Sequence, residues 1–108
     1  MAMVKRFDVF LINLDPLPSG DPKNTRPGVV VSPDELNRNV GHVIVAPLAS
    51  TNANYPTRVA VEFLNSERMV ILDQVLTVDK ERLVKKIGEI GEASQAGILE
   101  RLAEMFAK

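Results

Sequence analysis

Val29-Val30-Val31 is the run that most narrows the architecture: three consecutive β-branched apolar residues, preceded by Pro27 and Gly28, make a buried strand. The stretch from Lys23 to Ser32 therefore places Arg26 where loop becomes sheet. At such a border a rigid scaffold holds a charged side chain in one direction while a ligand still reaches it. Further apolar segments follow the same grammar. Phe7 to Leu14 is almost continuously apolar, interrupted by Asp8 and Asn13, and reads as a strand covered on both faces. His42 to Leu48 is another buried strand with Pro47 at its rim. Thr57 to Phe63 alternates, with Val59, Val61 and Phe63 on one side and Arg58, Ala60 and Glu62 on the other, as a half-buried antiparallel strand does.

The connections are as informative. Asp15 to Asn24 carries three prolines and one glycine, which excludes both helix and strand and marks a long working loop. Ser32-Pro33-Asp34-Glu35 reads as the start of a short helix, with Ser32 as cap and Glu35 at capping-box spacing, stopped by Asn39 and Gly41. Ala49 to Pro56 is a polar loop, and Leu64 to Glu67 a turn. Arg68 to Leu72 resumes the sheet and Val75 to Val78 continues it, with the polar pair Asp73-Gln74 breaking the apolar run between them. Asp79 to Val84 suits one or two helical turns capped by Thr77 or Asp79, and Lys85 to Ile90 an edge strand guarded by lysines. From Ser94 to Lys108, Ile98, Leu99, Leu102, Met105 and Phe106 recur at three- and four-residue steps, giving an amphipathic helix that packs on the sheet or on a second subunit. The expected fold is mainly β with a C-terminal α-helix, a small SH3-like barrel formed by residues 1–108 as a single domain.

Composition removes several classes of function. Thirteen Lys and Arg against fourteen Asp and Glu leave a formal charge of -1, too little for gripping duplex nucleic acid by bulk electrostatics. Cysteine is absent and His42 is the single histidine, which excludes thiolate nucleophiles, cysteine-ligated zinc and histidine-rich metal sites. No apolar run approaches the roughly 20 residues that span a bilayer, and the first residues lack the apolar core of a signal peptide, so a cytoplasmic protein without membrane contact is expected.

Eight stretches, taken in order, carry a family resemblance: Arg6 to Val9, Asn13 to Pro16, Thr25-Arg26-Pro27, Ser32 to Arg38, Val43 to Leu48, Tyr55 to Val59, Leu72-Asp73-Gln74 and Thr77 to Lys80. Together they resemble the MazF/PemK family of bacterial toxins. The resemblance implies an SH3-like barrel with a C-terminal helix, a homodimer, and cofactor-free, metal-independent cleavage of single-stranded RNA at short motifs. It also implies an RNA groove along the dimer interface, and a cognate antitoxin protein whose tail occupies that groove. Two departures stand out. Asp21 replaces the usual glutamate of the loop, and Ala49-Ser50 replaces a threonine followed by a second hydroxyl. A gyrase poison of the CcdB type, which shares the fold, is the alternative from another class, although this chain contains no tryptophan. A barrel that binds RNA or protein without cutting is the other alternative.

Metal-free RNA cleavage needs a base for the ribose 2′-hydroxyl, an acid for the departing 5′ oxygen and a cation on the phosphorane. Arg26 suits the cation, being always protonated and matched to phosphate geometry. Asp21 and Asp73 are the carboxylates placed near it by the motif alignment, with Asp21 preferred as base and a purely electrostatic role open for either. Ser50 or Thr51 would hold phosphate oxygens, since nothing in the sequence activates a serine as nucleophile. Lys23, Arg38 and Arg58 are candidate phosphate contacts. Asn24, Asn52, Asn54 and Tyr55 are candidates for hydrogen bonding to or stacking on unpaired bases. Thr25 and Gln74 join the substrate-binding set through their motifs. Asp73-Gln74 reads equally as a buried brace at a bulge.

Overall fold

Alternation along the apolar segments decides how they assemble. Val9, Val29 and Ala46 stand in register across three neighbouring strands, and all are fully buried. Phe10, Val30 and Val45 point to the opposite side and are also buried. The central strands are thus covered on both faces, as their near-continuous apolar character requires.

The computed structural model describes residues 3–16, 23–50 and 55–107. Seven strands among them, β1 (Asp8–Asn13), β2 (Thr25–Val30), β3 (His42–Ala49), β4 (Arg58–Phe63), β5 (Ser66–Ile71), β6 (Leu76–Asp79) and β7 (Leu83–Glu89), form an antiparallel sheet in the order β4-β5-β3-β2-β1-β7, with β6 also on β3. The helices are α1 (Asp34–Asn39) and α2 (Glu92–Phe106). The sheet curls until its ends approach: a β-carbon on Gly88 of β7 would stand 2.8 Å from Phe63 Cε1 of β4, and the backbone there has φ 154°. Only glycine serves at such a point of positive φ and close approach. The curled, barrel-like sheet with one long terminal helix matches the expectation from sequence.

Along one edge of β3, Leu48 and Ala49 pair with β5 whereas His42 to Val45 pair with β6. A single 3-10 turn, Leu72–Gln74, carries the chain between the two. The sheet does not run on through this point, and Asp73 and Gln74 are exposed, so the reading of a buried brace is corrected: the pair sits at a surface corner above the buried Leu72. Ser32 is likewise no helix cap. Pro33 holds the cap position without a side-chain bond. The buried Ser32 hydroxyl instead donates to Asn37 Oδ1 at 2.5 Å and accepts from the Ile44 amide at 3.1 Å, latching α1 to β3. Burial favours this latch, because a hydroxyl removed from water must find partners on whatever surrounds it.

The turn between β4 and β5 is tighter than its sequence suggests: Phe63 pairs with Ser66, leaving Leu64 and Asn65 at φ 50° and 62°. β7 lies at the end of the sheet with Lys85 and Lys86 exposed, as an edge strand should. Helix α2 buries Ile98 completely against the sheet, with Leu102 and Met105 packed beside it. Among the described residues no helix is long and apolar enough to cross a membrane.

Candidate active site

Arg26 is the second residue of β2 and pairs with Ile12 of β1, so its backbone is fixed by the ladder while its side chain is exposed. The guanidinium Nη1 donates to its neighbour's carbonyl, Thr25 O, at 2.9 Å. Among the described residues it makes no ion pair, which leaves most of its donor fork open. Beside it lies an apolar cleft of about 230 Å³, bordered by Ile12, Leu14, Pro47, Ala49 and Leu76. A cation at the rim of such a cleft acts through a lower dielectric than water, which strengthens its hold on an anion.

The other sequence candidates are dispersed, and Arg38 lies exposed in the last turn of α1. Lys23 and Asn24 are exposed and Thr25 half-buried, and all three lead directly into Arg26. Backbone pairing holds this approach: Leu14 donates its amide to Asn24 O at 2.8 Å, and the Lys23 amide reaches Asp15 Oδ2 at 2.9 Å. Ser50 is exposed and follows Ala49 at the rim of the same cleft. Asp21, Thr51, Asn52 and Asn54 lie outside the described residues.

Asp73 belongs to a separate cluster. Its Oδ1 accepts from Thr57 Oγ1 at 2.9 Å and from Arg58 Nε at 3.4 Å. Arg58 in turn lies over the exposed Tyr55 ring, 4.8 Å from its centroid, a cation–π arrangement. The Thr57 hydroxyl holds the Asp73 carboxyl below the usual carboxylate range, against an opposing effect of desolvation and with Arg58 assisting. Gln74 is exposed on the same turn. Tyr55, Arg58 and Asp73 are therefore brought together, whereas the partners of Asp73 are Thr57 and Arg58 rather than Arg26.

Arg82 was not among the residues singled out by sequence. It ends a 3-10 turn, Lys80–Arg82, and its guanidinium spans three carbonyls of the β1 end: Nη1 donates to Asn13 O at 3.0 Å and Asp15 O at 2.6 Å, and Nη2 to Pro16 O at 3.4 Å. Its partners are backbone atoms far away in the chain, so no local motif announces the contact.

The description PemK-like, MazF-like toxin of type II toxin-antitoxin system belongs to a family model that matches residues 5–106. The endoribonuclease MazF of Staphylococcus epidermidis is 32% identical over 97 residues, covering 84% of this chain and 81% of that protein. An endoribonuclease from Mycobacterial species superposes with a TM-score of 0.79 at 26% identity, over 96% of this chain and 91% of that one. A second structure, an endoribonuclease in complex with its cognate antitoxin from Mycobacterial species, gives a TM-score of 0.80 at 25% identity over 94% and 92% of the two chains. With the family match extending over nearly the whole sequence and the same curled sheet and terminal helix in its structural relatives, this chain belongs to the PemK-like, MazF-like toxins of type II toxin-antitoxin systems.

Proposed function

We propose that the protein is an endoribonuclease that cleaves single-stranded RNA at short sequence motifs, without metal or cofactor, and is neutralised by a cognate antitoxin protein. The observation that carries this reading is Arg26: a permanently charged fork held by a strand ladder at the rim of a cleft, with most of its donors available among the described residues. The ribose 2′-oxygen attacks the adjacent phosphorus, the bond to the 5′ oxygen breaks, and 2′,3′-cyclic phosphate and 5′-hydroxyl ends result. Arg26 stabilises the phosphorane and donates a hydrogen bond to the departing oxygen, which takes up a proton from solvent to become the 5′-hydroxyl. Ser50, with Thr51, holds non-bridging phosphate oxygens.

Asp73 is a poor base, because its bonds to Thr57 and Arg58 favour the ionised form. Removal of the 2′-hydroxyl proton is therefore assigned to Asp21. Asp73 orients Arg58, and Arg58 with Tyr55 offers a stacking surface for an unpaired base. Lys23, Asn24, Thr25, Asn52 and Gln74 contact the flanking nucleotides. The proposal extends to a single domain over residues 1–108, a homodimer with the RNA groove along its interface, and a cytoplasmic location. The mycobacterial relative determined with its cognate antitoxin supports the regulatory part.

The test is incubation of the purified protein, beside Arg26→Ala, with a long single-stranded RNA in excess chelator. Fragments with cyclic phosphate ends from the wild type alone are expected. Intact RNA across several substrates would overturn the assignment in favour of a barrel that binds without cutting. Size in solution should correspond to a dimer, and an active monomer would remove the interface groove.

A further inference from the structure

We infer that Arg82 is a positioning residue for Arg26, acting through the end of β1; the inference rests on the RNA cleavage proposed above. Leu83, Ile12 and Arg26 stand in register on three neighbouring strands, β7, β1 and β2. Ile12–Leu83 is the last rung between β1 and β7. Beyond it, among the described residues, no strand faces that edge, and the Arg82 guanidinium donates to the carbonyls of Asn13 and, just past β1, of Asp15 and Pro16. The planar fork, with five donors in fixed directions, is suited to spanning three acceptors; a lysine ammonium is a compact point charge and is not.

The clamped segment is tied directly to the approach of β2. The Asn13 side chain is buried and its Oδ1 accepts from the Asp15 amide at 2.8 Å. Asp15 Oδ2 accepts from the Lys23 amide at 2.9 Å, and the Leu14 amide reaches Asn24 O at 2.8 Å. A continuous chain of hydrogen bonds thus runs from Arg82 through Asp15 to Lys23, three residues before Arg26. Leu14 and Ile12, on the same clamped strand end, also border the cleft. Releasing the clamp lets β1 and the start of β2 shift together, and a displacement of about 1 Å in a catalytic group costs up to about 100-fold in rate.

Arg82→Ala and Arg82→Lys are compared with the wild type by single-turnover cleavage at saturating enzyme, by binding of the same RNA, and by amide hydrogen exchange at Leu14 and Lys23. In Arg82→Ala the cleavage step is expected to fall by about tenfold or more while RNA affinity changes by less than about threefold, as expected for a misplaced group rather than a lost contact. Guanidinium ion at tens of millimolar, far below denaturing concentration, is expected to restore part of the rate and to slow the accelerated exchange at both amides. It should leave the wild type unmoved. An unchanged cleavage rate in Arg82→Ala, or a folded variant whose lost rate guanidinium does not restore, overturns the inference. If Arg82→Ala fails to fold, Arg82→Lys decides: a full rate there overturns it and a slow cleavage step with retained RNA binding upholds it. Should the wild type itself cleave no RNA, the proposed function fails separately, and unchanged exchange at Leu14 and Lys23 would then overturn the clamp on its own.

Discussion

Ile12 Cδ1 lies over Gly28, in the space that a side chain at position 28 would fill. Both residues border the cleft beside Arg26, and a β-carbon on Gly28 also comes within 3.5 Å of Ala46 O. The end of an isoleucine side chain can move, whereas the β3 backbone cannot. Gly28→Ala should therefore turn Ile12 into the cleft, lower stability by about 1–2 kcal/mol and slow RNA cleavage. Denaturant unfolding and cleavage rates check both. Combining it with Ile12→Val, which removes the displaced methyl, should recover part of the stability; strictly additive losses would exclude the steric coupling.

Arg26 is exposed and, among the described residues, its side chain makes one backbone hydrogen bond, so its replacement spares the fold. Arg26→Ala should change stability by no more than about 0.5 kcal/mol. The cleavage rate should fall by about 100-fold to 1,000-fold or beyond, the range for losing a principal electrostatic stabiliser. Arg26→Lys keeps the charge and loses the paired donors, and should fall between the two. Cleavage assays on proteins of matched melting temperature provide the comparison.

The lowered pKa of Asp73 gives a pH dependence of defined sign. Its folded value lies below its unfolded one, chiefly through the Thr57 hydroxyl, so its stabilising effect is complete above the unfolded value near about 4 and disappears as pH falls through the folded value. Urea unfolding of the wild type should thus weaken more steeply on acidification below about pH 4 than that of Asp73→Asn, with Thr57→Val intermediate. Near neutrality Asp73 is ionised throughout, and Asp73→Asn should leave the midpoints of the cleavage pH profile unmoved. A lost acidic limb in that variant would return Asp73 to the role of base.

Leu64 and Asn65 both occupy the left-handed region, at φ 50° and 62°, in the two-residue β4–β5 turn. Leucine is disfavoured there, and its side chain is 67% exposed, so little packing offsets the strain. Replacing the pair by Leu64→Asn with Asn65→Gly should stabilise the protein by about 1 kcal/mol, raising the melting temperature by about 5 °C. A thermal melt showing no gain would indicate that the native turn is not strained.

Much of this was legible in the chain. Val29-Val30-Val31 announced β2, although the strand starts earlier, at Thr25, and includes Arg26, and the apolar spacing announced the packed face of α2 at Ile98, Leu102 and Met105 while Leu99 and Phe106 are exposed. Ser32 misled because capping and burial use the same hydroxyl, and the choice between them depends on Ile44 arriving alongside. Asp73 was legible as a candidate and not as a partner of Thr57 and Arg58, since that bond joins two strand ends.

What the residues determined by themselves is local: where strands begin and stop, which side each turns inward, and the order of motifs that places the chain in its family. These follow from steric preferences and from the alternation of apolar and polar side chains, which act over a few residues. Tertiary structure alone decided that β5 and β6 share one edge of β3, that Arg26 and Ala49 border one cleft, and that Arg82 meets the end of β1. The last case states the physical reason most plainly. The acceptors are main-chain carbonyls, which every residue carries, so only the folded path of the backbone selects which of them a guanidinium meets.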